Sequence, residues 1–206
     1  MLNNVVDLSH HNTVTSFQPA KLNGVAGVIR KATPGAAVVD GEYHGRREHA
    51  LANGFLCGAY HFGTKGNAEQ QVEHFLAAAN PTDTDLLVLD VEPNGISGTM
   101  TLAEAETFVS AVKAKTGRFP GLYSGESFLR EKVGSNTHTI LKNCFLWVAK
   151  YSSDTPKVPA AWQTFTFRQY TDGNAGSQPH QVPGIGRCDH DKFNGSLDDL
   201  KRLWGV

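Results

Sequence analysis

The sequence predicts an α/β fold in which eight strands close into a barrel and helices follow only the first five. Three observations carry this expectation. Eight short β-rich runs recur along the chain. Several are continuously apolar, such as Leu86-Leu87-Val88-Leu89, which suits parallel strands covered on both faces. Amphipathic helical segments separate the earlier runs, whereas Pro and Gly crowd the later links. The 206 residues fit one domain, residues 1–206, trimmed below the roughly 250 of a full barrel.

The first strand is expected at residues 5–8, followed by a short helical piece at 17–22 and a second strand at 27–31. A helix at 42–53 and a strand at 56–62 come next. Ala68, Val72, Phe75, Leu76 and Ala79 then recur at helical spacing behind Asn67-x-x-Gln70, a capping signal. After a strand at 86–91, Leu102, Ala105, Phe108, Val109 and Val112 do the same behind Thr101-x-x-Glu104, with Gly117 where a C-terminal cap belongs. A strand at 121–124 leads into a helix from residue 125 towards 133. The last strands, 145–149, 166–170 and 186–193, are joined by links carrying Pro156, Pro159, Pro179 and Pro183, which leave little room for helices. Residues 196–204 read as a closing helix.

Composition excludes several function classes. Lys and Arg total 19 against 20 Asp and Glu, without a block of like charge, so binding to nucleic acid through a basic field is not expected. The three cysteines, Cys57, Cys144 and Cys188, stand apart and read as reduced thiols. No basic leader with an apolar core opens the chain and no stretch approaches the 18 apolar residues of a membrane span. Synthesis in the cytoplasm without a signal peptide, no membrane insertion and a monomeric state are therefore expected.

In a barrel of parallel strands, reactive groups project from the strands' C-terminal ends. Three acidic or polar pairs directly follow apolar runs: Asp7 with Ser9, Asp90 with Glu92, and Asp189 with Asp191. Each is spaced i, i+2, so both members point the same way from a strand. Burying Asp90 and Glu92 together is costly, and one of them should hold a proton near neutral pH. A protonated carboxyl beside ionised ones is what glycoside cleavage requires, and Glu92 has the longer reach. The alternative is that the two acids cap loops or pair with Arg30 and Lys31. His10, His11 and His61 fall near the same rim, but no metal-ligand spacing appears, and neither a metal nor an organic cofactor is expected. Cys188 should turn out of the pocket by alternation and read as a buried, inert thiol.

The ordered segments Asp7-Leu-Ser-His-His-Asn12, Val28-Ile-Arg-Lys-Ala-Thr33, Gly58-Ala-Tyr-His-Phe62 and Leu89-Asp-Val-Glu92 together resemble family 25 of the glycoside hydrolases, the Ch-type lysozymes. Pro120-Gly-Leu-Tyr123, Leu146-Trp-Val-Ala149, Arg168-Gln-Tyr170 and Asp189-His-Asp-Lys-Phe193 extend the likeness to almost the whole chain. The resemblance implies an incomplete TIM-like (β/α)5β3 barrel, its eight strands mainly parallel with five helical crossovers. It also implies an N-acetylmuramidase cutting the β-1,4 bond between N-acetylmuramic acid and N-acetylglucosamine in peptidoglycan. Glu92 matches the general acid, Asp90 its acidic partner, and Asp7 and Asp189 the acids lining the cleft. Asp191 departs from the pattern, where Asn is expected in many members.

Tyr60, Phe62, Tyr123, Trp147, Tyr151 and Tyr170 lie at or beyond strand ends, where a ring can stack on a sugar or pack in the core. Tyr60 and Trp147 are the strongest sugar-binding candidates, and Gln169 is a candidate partner for an acetamido group. Anomeric configuration is expected to be retained, whether by a carboxylate or the substrate's own acetamido oxygen. A phage endolysin, or a lytic effector secreted or injected to act on the wall, fits a catalytic barrel without a wall-binding repeat. The rival readings are a barrel that binds wall glycan without cutting it and a metal-dependent hydrolase.

Overall fold

The structure, a computed structural model, describes all 206 residues. Five β/α units open the chain: β1 (Leu2–Leu8) and α1 (Gln18–Leu22), β2 (Gly27–Pro34) and α2 (Tyr43–Ala52), β3 (Leu56–Phe62) and α3 (Ala68–Ala79), β4 (Leu86–Asp90) and α4 (Leu102–Thr116), β5 (Gly121–Gly125) and α5 (Glu126–Val133). A 3-10 turn (Ile140–Asn143) precedes β6 (Leu146–Ala149) and β7 (Phe167–Thr171). A small hairpin, β8 (Gln181–Val182) with β9 (Gly186–Arg187), leads into β10 (Asp189–Phe193) and the last helix, α6 (Leu197–Leu203).

Eight strands form a closed barrel in the order β1-β10-β7-β6-β5-β4-β3-β2. Strands β1 to β7 run parallel, but β10 pairs antiparallel with both β7 and β1. The expected eighth strand is thus reversed, for a local reason. A parallel return needs a crossover, usually a helix, to carry the chain back across the barrel. Residues 172–188 hold only the hairpin and turns, so the chain re-enters at the rim it has just left. Gly184 C=O accepts from the backbone N–H groups of Thr15 (2.8 Å) and Ser16 (3.1 Å), pinning that hairpin to the loop after β1.

The helix ends follow the sequence signals. Asn67 Oδ1 accepts from Gln70 N–H at 3.1 Å, and Thr101 and Glu104 complete a reciprocal capping box at the start of α4. Gly117 ends that helix at φ 76°, a left-handed conformation that costs glycine little. Ser196 and Asp199 box the start of α6 in the same way.

The core has two layers. Outside the strands, Val72, Phe75, Phe108, Val109 and Val112 of α3 and α4 pack on the outer faces of β3 to β6. Inside, Val5, Ile29, Val88, Trp147, Phe167 and Phe193 fill the barrel, and Leu200 and Trp204 enter from the α6 end. Trp204 is completely buried and its indole N–H donates to Cys57 C=O at 2.8 Å. With the lower end plugged by apolar side chains, polar groups collect at the rim where β1 to β7 end.

Candidate active site

Alternation along the strands sends Asp7, Tyr60, Phe62, Asp90, Tyr123, Trp147 and Gln169 inward near that rim. Because β10 is reversed, Asp189 and Asp191 begin a strand instead of ending one, yet they arrive at the same level. Asp189 lies opposite Asp7, and Asp191 lies opposite Val5 on one side and Gln169 on the other. Asp90 sits between Phe62 and Tyr123 on neighbouring strands. Glu92 stands two residues beyond β4, half-buried, on the wall of a groove of about 500 Å³ that also presents Tyr123, Phe128, Lys150 and Tyr151.

Gln169 ties the acids together. Its Oε1 accepts from Tyr123 OH at 2.9 Å and Tyr151 OH at 2.8 Å, while its Nε2 donates to Asp7 Oδ2 at 2.9 Å and Asp189 Oδ2 at 3.3 Å. All four hydrogen-bonding positions of the amide are used. Gln169 is therefore a clamp on two carboxyls, and the expectation that it meets a substrate acetamido group is corrected. Two further expected sugar contacts are corrected likewise. Trp147, 1% exposed, packs edge-on against Tyr123 and gives its indole N–H to Asp191 Oδ1 at 2.8 Å. Asp191 itself is 0% exposed, beneath Asp7 and out of reach of a ligand. Tyr170, adjacent to Gln169, faces outward beneath the Lys192 ammonium.

Tyr60 and Phe62 are half-buried on the inner face of β3, with the Lys31 ammonium 4.6 Å from the Phe62 ring centroid. Ser9 is half-buried in the turn after β1, where its N–H donates to Asn12 Oδ1. The histidines do not converge. His61 lies outside the barrel, stacked on Phe108 and bonded to Thr33 and Gln71, and burial pushes its pKa down to about 4. His10 Nδ1 meets Asp40 at 2.8 Å. No group of three His, Cys, Asp or Glu side chains is arranged to hold a metal ion. Cys188 packs outside the strands against Val6 and Leu8, and burial raises its thiol pKa.

Sequence reasoning offered Lys31 only as a partner for Asp90 and Glu92, and missed Phe128 and the Lys150–Glu126 ion pair. Lys31 had a signal, since it shares the inward phase of β2 with Ile29. The Lys150–Glu126 pair joins the end of β6 to α5, and nothing in its spacing announces it.

The site is an island of carboxyls with few cations. Asp7, Asp189 and Asp191 all titrate above the usual carboxylate range, chiefly because burial disfavours their charged forms and then because each feels another of the three. Asp189 is pushed up to about 9. Asp90 and Glu92 act on each other, the Glu92 carboxyl raising Asp90 and the contact with Asp90 lowering Glu92. Burial raises both, while Lys31 draws both down. A half-buried carboxyl kept protonated at the wall of a groove can donate that proton to a leaving oxygen.

These shifts make a stability prediction. Each of the three aspartates binds its proton more tightly in the folded chain than in the unfolded one, whose carboxyls titrate at about 4. Below pH about 6.5, His61 and His190, both depressed to about 4 by burial, act in the opposite sense. From pH 7 to 9 the raised aspartates lower stability as pH rises, and the buried thiols of Cys57, Cys144 and Cys188, also raised by burial, act in the same sense. The urea midpoint is expected to be lower at pH 9 than at pH 7. A midpoint that holds or rises over that interval contradicts the assignment.

The comparisons with known proteins agree with this geometry. Residues 6–178 match the sequence profile described as "Glycosyl hydrolases family 25". Lysozyme M1 of Streptomyces globisporus is 30% identical over 213 aligned residues, which span 96% of this chain and 70% of that protein. The N,O-diacetylmuramidase of Arthroderma benhamiae is 28% identical, spanning 96% and 84%. The solved structure of a muramidase from Acremonium alcalophilum superposes with a TM-score of 0.85 at 27% identity, covering 99% of both chains.

Proposed function

Because this chain belongs to family 25 of the glycosyl hydrolases, we propose that it is a lysozyme that cuts the β-1,4 bond between N-acetylmuramic acid and N-acetylglucosamine in peptidoglycan. The observation that carries this reading is the meeting of Asp7, Asp90, Glu92 and Asp189 at one barrel mouth, with Glu92 alone of the four on the groove wall. Glu92 protonates the glycosidic oxygen as the bond to the anomeric carbon breaks. Asp7 and Asp189, held by Gln169, face the oxocarbenium-like centre, whose developing positive charge favours their ionised forms over the protonated forms that burial favours in the free protein. Burial holds Glu92 above the usual carboxylate range and so favours its protonated form, while Asp90 behind it is raised by burial and by the Glu92 carboxyl. Tyr60, Phe62 and Tyr151 offer ring faces to the sugars, and the Ser9 hydroxyl lies at the same rim.

The nucleophile is the substrate's acetamido oxygen, oriented by an aspartate, and configuration is retained. The barrel acts as a monomer on the glycan strand, in the periplasm or outside the cell. It reaches the wall as a phage endolysin or an injected effector. No helix of the protein is long and apolar enough to cross a membrane.

Digestion of purified peptidoglycan followed by mass spectrometry tests the bond assignment. The expected fragments end in N-acetylmuramic acid at the reducing end. N-acetylglucosamine there, or an uncut glycan, overturns the reading. Proton NMR of the first-formed product should show the β-anomer, and an inverted product would exclude both double-displacement routes. Asp189→Asn keeps the size of the side chain but removes its ability to ionise opposite a developing cation, and kcat is expected to fall about 10²-fold. Unchanged kcat would confine the chemistry to Asp7, Asp90 and Glu92.

A further inference from the structure

Asp191 is the one carboxyl of the cluster that no ligand can touch, and its two oxygens differ. Oδ1 accepts the Trp147 indole N–H at 2.8 Å. Oδ2 is buried with no N–H or hydroxyl donor in reach. The polar group beside it is the Asp7 carboxyl, which meets it as a hydrogen-bond partner and feels its charge. Two ionised carboxylates cannot hydrogen-bond, because both only accept. Among the protein's own groups, an acidic proton on this pair is the one donor that Oδ2 can take.

We infer that Asp7 and Asp191 share one proton through Asp191 Oδ2, which makes Asp191 a positioning residue that sets the charge and orientation of Asp7 from beneath the cleft. This rests on the lysozyme reading for its role in turnover, but the proton itself is a property of the free protein. Without a shared proton, two buried like charges would face each other at the barrel floor, a costly arrangement in a low-dielectric site. The pair instead carries a single negative charge, and Gln169 anchors the other side of Asp7 at Oδ2.

The surroundings leave little else to balance the charge. Asp7 faces Asp191 from β1, Asp189 from its own strand, and the Trp147 indole from β6. Tyr170 on β7 and Cys188 before β10 feel its charge but hold neutral side chains on the outer face.

Asp191→Asn separates the possibilities. The amide can keep an oxygen on Trp147 and offer Asp7 a permanent N–H in place of the shared proton. Infrared spectra of the full chain at pH 7 should lose one protonated-carboxyl C=O band in Asp191→Asn, while Glu92→Gln leaves that band in place. The urea midpoint of Asp191→Asn should fall less between pH 7 and pH 9 than that of the unaltered chain. On peptidoglycan, Asp191→Asn should keep kcat within about threefold at pH 7, whereas Asp191→Leu, with no donor for Asp7, should lose at least tenfold. An unchanged set of carboxyl bands, or an equally steep fall of the midpoint with pH, overturns the shared proton. Because both readouts need no substrate, they fail independently of the lysozyme assignment, which an inactive unaltered chain would refute alone.

Discussion

Glu92→Gln is expected to leave the fold intact and abolish release of reducing ends from purified peptidoglycan, lowering kcat by about 10³-fold or more. A well-placed general acid contributes roughly 10²–10⁴-fold, and here no other group on the groove wall can replace it. Asp90 is buried behind Glu92 and the nearest ammonium groups, Lys31 and Lys150, face an aromatic ring and Glu126 respectively. Glutamine matches the carboxyl in size and can still donate from its amide to Asp90, so binding of the glycan should persist and the loss should fall on kcat. The check is a reducing-sugar assay beside circular dichroism. Activity within tenfold of the unaltered chain, in a folded variant, would falsify the assignment of Glu92. Loss of both activity and glycan binding would instead point to a structural role for the side chain.

Trp204→Ala is expected to destabilise the chain by about 3–5 kcal/mol, the usual cost of removing a buried tryptophan. The indole fills the lower mouth of the barrel against Phe167, with ring centroids 6.0 Å apart and planes at 89°, and near Gly27. Its removal opens a cavity and also strips the Cys57 carbonyl of its donor, a further penalty for a buried acceptor. Urea unfolding followed by tryptophan fluorescence would register the change. A loss under about 1 kcal/mol would mean that the barrel is filled without α6. Because the plug lies at the opposite end from the acids, kcat of the folded fraction should be little affected.

Much of this architecture was legible because the first five units follow local rules. Asn67, Thr101 with Glu104, and Gly117 announce helix ends through backbone hydrogen bonds that any reader of the sequence can place. Of the i, i+2 pairs, only Asp189 and Asp191 lie within one strand, whereas Ser9 and Glu92 fall beyond the ends of β1 and β4, where alternation no longer fixes a side chain's direction. The reversal of β10 was not legible, since direction depends on where the preceding hairpin docks, and that docking is made by Gly184 against residues 15 and 16 across the barrel. The roles of Gln169, Trp147 and Asp191 were misread for a related reason. Strand alternation says that a side chain points inward but not how deep it lies, and depth depends on the stagger between neighbouring strands. Depth separates a residue that meets sugar from one that holds another residue in place.

The reversed last strand also dictates when the chemistry becomes possible during synthesis. Gln169 and Asp7 are 162 residues apart in the chain, and the segment that completes their grouping is inserted between the first strand and the seventh. Until β10 emerges from the ribosome the ring of strands has a gap between β1 and β7, and Asp189 and Asp191 are absent from it. A chain that stops short of β10 therefore carries Asp7, Asp90 and Glu92 without Asp189 and Asp191, so the group of acids is complete only once residues 189–193 have been made.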